Sequence, residues 1–306
     1  MNCYSIVKAI QQNGFFMPFL FFKSFLIKTT FVINRATGHF KLNTMAKVSI
    51  RFFLGILFYL FSINNSKAQW DLGLQGGISI PNLSAGGSDN NPLNTGYSSR
   101  LGPEFAISGE YHMSKLFSIV PKIEYSAQGG KKDGYQALPT PPGIAEYLEM
   151  QGGTAPTYLY ADFNSEAKLD YLLIPILAKF GWDLDAQKKF RVTVAAGPYL
   201  GFLLSANQVT SGNSELYTDP EKMNALPLGP QSFDTTNNIK SQLNTTNFGI
   251  DGSVGIEYLM GKTKRDKIFF EIGGNYGFLN IQKGSANGKN NTGAATIMLG
   301  YAYRIK

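Results

Sequence analysis

The chain is poor in the residues that active sites usually need. Its single cysteine is Cys3, and residues 69–306 contain none. A disulfide framework, a thiolate zinc site and a cysteine nucleophile are therefore excluded from that body of the chain. Histidine occurs twice, as His39 and His112. Charged residues are 16% of the 306, below the usual share of about 25%. Acidic residues are absent from residues 1–68, which hold Lys8, Lys23, Lys28, Arg35, Lys41, Lys47, Arg51 and Lys67. Those eight account for the formal charge of +7. The other 20 Lys and Arg face 21 Asp and Glu, a balance near −1. The basic excess belongs to the leader, so it does not indicate nucleic acid, and no such partner is expected.

Nucleotide and metal signatures are missing too. There is no Walker A loop, HExxH or EF-hand, so no cofactor or metal is expected. Gly73, Gly76 and Gly77 lie inside a strand pattern with no helix after them, which suits close packing rather than a phosphate cradle. Asp89, Asn90 and Asn91 read as a solvated turn. His39 lies in the leader and His112 at a turn between strands. Neither is expected within reach of a Ser-His-Asp arrangement, so no catalytic residue is assigned and no enzyme is expected.

Apolar runs are short. The segment from Met45 has a positive start (Lys47, Arg51), ten apolar residues (Phe52–Phe61), a polar stretch and then Ser66-Lys67-Ala68. This is the layout of a cleaved secretory signal peptide over 45–68, with Gln69 first in the mature chain. Ten residues are too few to span a bilayer as a helix, which takes about 20. Residues 1–44 are either a start assigned upstream of Met45 or a true extension, and both readings stay open.

What residues 69–306 do have is alternation. Apolar and polar residues swap places with period two in eight segments, the signature of strands with two different faces. The first sets Trp70, Leu72, Leu74, Ile78 and Ile80 against Asp71, Gly73, Gln75, Gly77 and Ser79. The others begin near Glu104, Phe117, Lys168, Phe190, Asn247, Ile268 and Thr296. In the fourth, Leu169, Tyr171 and Leu173 start the apolar phase. A slip near Pro175 is expected to pass it to Ile176, Ala178, Phe180 and Trp182. Connectors alternate long and short seven times, as in outer-membrane barrels with long outer loops and short periplasmic turns. Aromatics fall in two belts. Trp70, Tyr111, Phe117, Trp182, Phe190, Tyr258, Phe270 and Tyr303 mark one end; Phe105, Tyr125, Tyr171, Phe202, Phe248 and Phe278 mark the other.

The expected fold is all-β: an eight-stranded antiparallel up-and-down transmembrane β-barrel over residues 69–306. A charge on the lipid face at mid-depth costs about 2–4 kcal/mol. The polar phase must therefore face the lumen. It carries Asp71, Glu104, Glu110, Lys122, Glu124, Arg191, Asp251, Glu257, Glu271 and Arg304. Eight strands leave a lumen that side chains can fill. These residues are read as a polar network that stiffens the barrel. Seven carboxylates against three bases would make any ion path favour cations.

Several stretches also resemble a known family. They are LGLQGGISIPNLS, FAISGEYHMSKLFSIVPKIEYSAQGGK, KLDYLLIPILAKF, VAAGPYLGFLLSA and the terminal YAYRI. The most specific are Tyr171-Leu172-Leu173-Ile174-Pro175 and Ala196-Gly197-Pro198-Tyr199. Residues 69–306 resemble the PorT-type outer-membrane β-barrel domain family. That resemblance implies an integral barrel in the bacterial outer membrane, without an assigned substrate. The sequence departs from such barrels at its end, where Arg304, Ile305 and Lys306 follow Tyr303 in place of a terminal aromatic. The expected role is structural or interactive. Outer-membrane lipid is one partner, and a protein or glycan at the long loops is another. Two alternatives are a small cation-favouring pore and a soluble lipocalin-like carrier.

Overall fold

In a computed structural model, residues 69–85, 91–93, 95–284 and 288–305 are described. The signal-peptide reading of 45–68 and both readings of 1–44 fall outside them. The strands are β1 (Gln69–Ala85), β2 (Gly102–His112), β3 (Phe117–Lys132), β4 (Tyr135–Pro139), β5 (Tyr158–Asp162), β6 (Asn164–Asp183), β7 (Phe190–Ser211), β8 (Asn213–Ser214), β9 (Gln231–Ser232), β10 (Thr235–Asn238), β11 (Thr246–Met260), β12 (Asp266–Gly277) and β13 (Asn290–Ile305). One α-helix, α1 (Pro142–Met150), lies between β4 and β5. No helix among the described residues is long and apolar enough to cross a membrane, which says nothing about crossing with strands.

Eight of these strands form a ring. The order β7-β11-β12-β13-β1-β2-β3-β6 returns on itself because β6 also pairs with β7, and all eight pairings are antiparallel. Closure satisfies the backbone groups that an open edge would leave without partners in hydrocarbon. The short connectors are built by local chemistry. Ser114 Oγ accepts from the N–H of Leu116 and Phe117. Asp185 Oδ1 accepts from the N–H of Lys189 and Phe190 at 2.8 Å each. At the third turn Gly261 takes φ +70°, which glycine adopts at little cost.

The two faces separate as the alternation requires. Leu74, Ile107, Ile123, Val254 and Leu299 are each more than half exposed, while Asp71, Glu104, Glu124 and Glu257 are buried. The lower aromatic belt packs ring on ring between neighbouring strands: Trp70 with Tyr111 at 5.1 Å, and Phe190 with Tyr258 at 4.9 Å. Gly73 faces the lumen, where a Cβ would come within 2.6 Å of Ser108 Oγ, so the packing reading of that glycine holds.

The fourth segment departs from its expected phase. β6 alternates without a break from Ser165 to Trp182, and its odd residues point inward. Leu169, Tyr171 and Leu173 are thus lumen residues rather than lipid-facing ones, and Tyr171 leaves the outer belt. Pro175 causes no change of phase. The irregularity lies between Asp170 and Tyr171, where Leu204 of β7 is the extra residue. The reason is that lipid is not the only apolar surrounding available. Leu169, Tyr171, Leu173, Tyr199 and Leu203 form an apolar wall inside the barrel, continuous with Leu83 and with Leu243 and Ile281 from the loops.

A lipid-face charge tests this orientation. Leu74→Lys should lower stability in lipid vesicles by about 2–4 kcal/mol. Leu184→Lys, in an exposed turn, should change it by less than about 0.5 kcal/mol. Urea unfolding after refolding into vesicles measures both, and equal effects would contradict the assignment of faces.

Candidate functional site

The lumen charges fall into two groups. At the periplasmic end, strand register places Asp71 beside Glu110 on one side and Arg304 on the other. Arg304 Nε donates to Asp71 Oδ1 at 2.7 Å and Nη2 to Oδ2 at 3.0 Å, tying the first ring strand to the last. Lys267 Nζ lies 3.1 Å from Asp71, 2.5 Å from Glu110 and 3.2 Å from Glu257. Lys179 Nζ bonds Glu110 at 3.0 Å and Glu257 at 2.5 Å. Three carboxylates thus meet three cations in a buried lattice.

Four expected residues, Asp71, Glu110, Glu257 and Arg304, are brought together here. Lys179 and Lys267 are additions that the alternation did not supply. Lys179 falls in the polar phase that follows the slip expected at Pro175, but only the unbroken segments supply the expected inward charges. Lys267 sits one residue before the seventh alternating segment, in its polar phase. Adding them changes the inward balance from seven against three to seven against five, which weakens the argument for cation preference. Arg191 stands apart at the rim, 3.2 Å from Asp183 and donating to the carbonyls of Lys115 and Gly181.

His112 also corrects an expectation. Its Nε2 lies 2.8 Å from Asp71 Oδ2, and Ser118 Oγ lies 3.0 Å from its Nδ1. A Ser-His-Asp arrangement therefore exists, because β2 carries His112 into the lumen phase beside the end of β1. With the proton on Nε2, Nδ1 accepts from the Ser118 hydroxyl. Ser118 is buried, however, and Asp71 is already held by Arg304 and Lys267. The adjoining cavity, between this lattice and Lys122, has a volume of about 20 Å³. That is room for about one water, not a substrate. Asp71, Glu110 and His112 also have metal-ligand spacing, but two ammonium groups and a guanidinium occupy their carboxylates.

The second group lies farther along the strands. Lys122 Nζ bonds Glu271 at 3.2 Å. Glu104 pairs across the sheet with Ser126, Glu124 with Ala106, and Asp251 with Asn275. All of these carboxyls are buried. Glu124, with Ser126 and Gln128, lies beside the apolar wall of β6, as the register partners of Leu173, Tyr171 and Leu169.

Closed ring, apolar exterior and charged interior agree with the comparison by sequence. The model of the outer membrane protein β-barrel domain matches residues 61–283. The chain belongs to this family. It is an integral β-barrel of the bacterial outer membrane. Solved structures similar to it include Neisserial surface protein A, with 14% identity over 76% of this chain and 96% of that one, TM-score 0.32. A major outer membrane protein from Thermus thermophilus shows 11% identity over 78% and 100%, TM-score 0.39. Ail of Yersinia pestis, in complex with the heparin analogue sucrose octasulfate, shows 9% identity over 78% and 99%, TM-score 0.30. No curated protein matches the chain.

Above the barrel the chain carries a second apolar cluster. Leu159, Ala161, Phe163, Leu216 and Leu226 are buried together beneath α1, and Phe163 stacks on Phe233 at 4.6 Å. Tyr135 contacts the rings of Tyr160 and Tyr217, with Lys222 Nζ 4.5 Å above it. Burial pushes the Tyr135 hydroxyl up to about 12. Asp219 caps the turn that follows, accepting from the N–H of Glu221, Met223 and Asn224. The Met223 N–H foremost holds its carboxyl below the ordinary 3.8.

Buried and exposed ion pairs should respond differently to the loss of a cation. Lys267→Met leaves three buried carboxylates short of a partner and should cost about 3–5 kcal/mol. Lys222→Ala breaks an exposed pair with Asp162 and should cost at most about 1 kcal/mol. Unfolding of both variants in detergent checks the contrast. For Asp219 the folded value lies below the unfolded one. Its contribution is therefore complete above pH 3.8 and is lost as pH falls through the lowered value. Amide resonances of Met223 and Asn224 should shift with a midpoint below 3.8, and a midpoint above it would contradict the cap.

Proposed function

We propose that this protein is a sealed barrel that acts through its outer loops, as a surface contact for protein or glycan. The observation that carries this is the filled lumen. A paired charge lattice occupies one end, and an apolar wall runs from Leu173 to Leu243 and Ile281 at the other. A sealed interior does not favour the small pore. An apolar exterior does not favour a soluble lipocalin-like carrier. The loops, by contrast, carry a packed subdomain whose maintenance a plain membrane plug would not need.

The ten lumen residues read from the sequence act in this proposal as stiffening, together with Lys179 and Lys267. Ser118, His112 and Asp71 act as a clasp at the periplasmic rim rather than as a nucleophilic site, because no substrate space adjoins them. The PorT-type resemblance fits this reading, since it implies a barrel without an assigned substrate.

Planar-bilayer recording of the full chain tests the sealed state. Wild-type protein should show no conductance steps, and steady cation-selective steps would overturn it. Replacing residues 140–157 by a short Gly-Ser linker tests the loops. The barrel should keep its heat-modifiable migration on gels while binding to a glycan or protein array falls to background. Array binding that survives the excision would move the contact elsewhere.

A further inference from the structure

We propose that the carboxyl cluster of the outer lumen, centred on Glu104 and Glu124, binds a divalent cation of the calcium type through oxygen atoms alone. Charge, geometry and donor chemistry converge on it.

The two buried groups differ in their balance of charge. In the periplasmic lattice Asp71, Glu110 and Glu257 meet Lys179, Lys267 and Arg304. In the outer group Glu104, Glu124, Asp251 and Glu271 share one ammonium, Lys122, which sits on Glu271. Among the described residues, Glu104, Glu124 and Asp251 make no salt bridge. Glu124 lies beside the apolar wall at Leu173, where uncompensated charge is most costly.

The geometry is independent of that count. Glu104 of β2 and Glu124 of β3 stand diagonally on the lumen face of neighbouring strands, since Glu104 pairs with Ser126 and Glu124 with Ala106. Two buried carboxyls so placed are held together either by a cation or by a shared proton. Glu124 Oε1 has no hydrogen-bond partner, and neither has Gln128 Oε1. Both residues are at least nine-tenths buried, at 3% and 1% exposure. The Gln128 amide is fixed beside the pair. Its Nε2 donates to Ser126 Oγ at 2.7 Å and to Asn275 Oδ1 at 3.1 Å, and Ser126 Oγ in turn donates to Glu104 Oε2 at 3.4 Å. The donors on offer are carboxylate, amide and hydroxyl oxygens, with no nitrogen or sulfur. Calcium takes roughly 6–8 such oxygens at about 2.3–2.6 Å in flexible geometry, whereas zinc and copper favour imidazole and thiolate. Asp251, the register partner of Asn275, adds charge beside the pair.

The full chain is refolded in detergent with calcium, magnesium or zinc, then desalted, and metal is counted by mass spectrometry. Wild type should retain about one calcium per chain and little zinc. Glu104→Gln with Glu124→Gln should retain none, and Asp251→Asn should bind about tenfold more weakly. The calcium-loaded wild type should unmask its heat-modified form at a higher temperature than the metal-free protein. In case the double variant does not fold, terbium is added to wild type, where Tyr171 and Tyr199 are placed to sensitise its emission and calcium should displace it. Absence of retained calcium, or of terbium emission, overturns the proposal. So does an unchanged melting temperature on loading, which would mean that a shared proton holds the two carboxyls together.

Discussion

Every other feature of this molecule depends on one constraint: backbone hydrogen bonds must all be made within the protein wherever hydrocarbon surrounds it. For strands that means a ring without edges. The pairing of β6 with β7 completes that ring, and it is also the most extended pairing in the structure. Once the ring is closed, each strand has one side in lipid and one in the lumen, and period two follows. Trp70, Leu72 and Leu74 point outward for the same reason that Asp71, Gly73 and Gln75 point inward. The closure also joins distant parts of the sequence, so that Asp71 and Arg304 meet across the β1–β13 seam.

The ring sets the lumen problem. Eight strands enclose a space that side chains must fill, and the polar phase brings many ionisable groups into it. Their desolvation is tolerable only where charges pair and remaining donors are satisfied. At the periplasmic end this is achieved by Lys179 and Lys267 bridging carboxylates of different strands. Farther out the chain changes strategy on one side only. β6 and β7 turn apolar residues inward while β2, β3 and β11 keep their carboxyls. The lumen is there divided between an oil-like wall and an oxygen-rich one. That division packs one side with apolar side chains and leaves four carboxyls around the single ammonium of Lys122 on the other.

The ring itself is legible in the sequence, because lipid imposes the same rule at every strand and alternation repeats eight times. The interior is legible only in part. Leu169, Tyr171 and Leu173 are apolar, and apolarity alone does not say whether lipid or a packed interior surrounds a side chain. A slip at Pro175 restores on paper a lipid phase that β6 holds throughout, and the broken pattern keeps Lys179 out of the expected lumen charges although it falls in the polar phase. Proline at position 175 is accommodated because its flanking pairs, Ile174 with Leu200 and Pro175 with Tyr199, keep register. The His112 clasp is hidden for another reason. Its partners Asp71 and Ser118 lie on two neighbouring strands, and the distance between them is set by register at the turn, not by spacing along the chain.

The loops extend the argument beyond the bilayer. A barrel needs about 9–11 residues per strand to cross the membrane, yet β6 and β7 run to 20 and 22 residues. The extra length rises above the lipid, where β10 adds to β7 and the apolar cluster of Leu159, Phe163 and Leu216 is buried. Ordering residues beyond the membrane costs conformational entropy of about 1–2 kcal/mol each, which only burial and pairing can offset. The connectors after β3 and after β7 meet that cost with a buried core, stacked rings and a capped turn at Asp219. Bilayer insertion needs none of this. The order above the membrane is a property of these connectors in their own right, separate from the rule that closes the ring of strands beneath them.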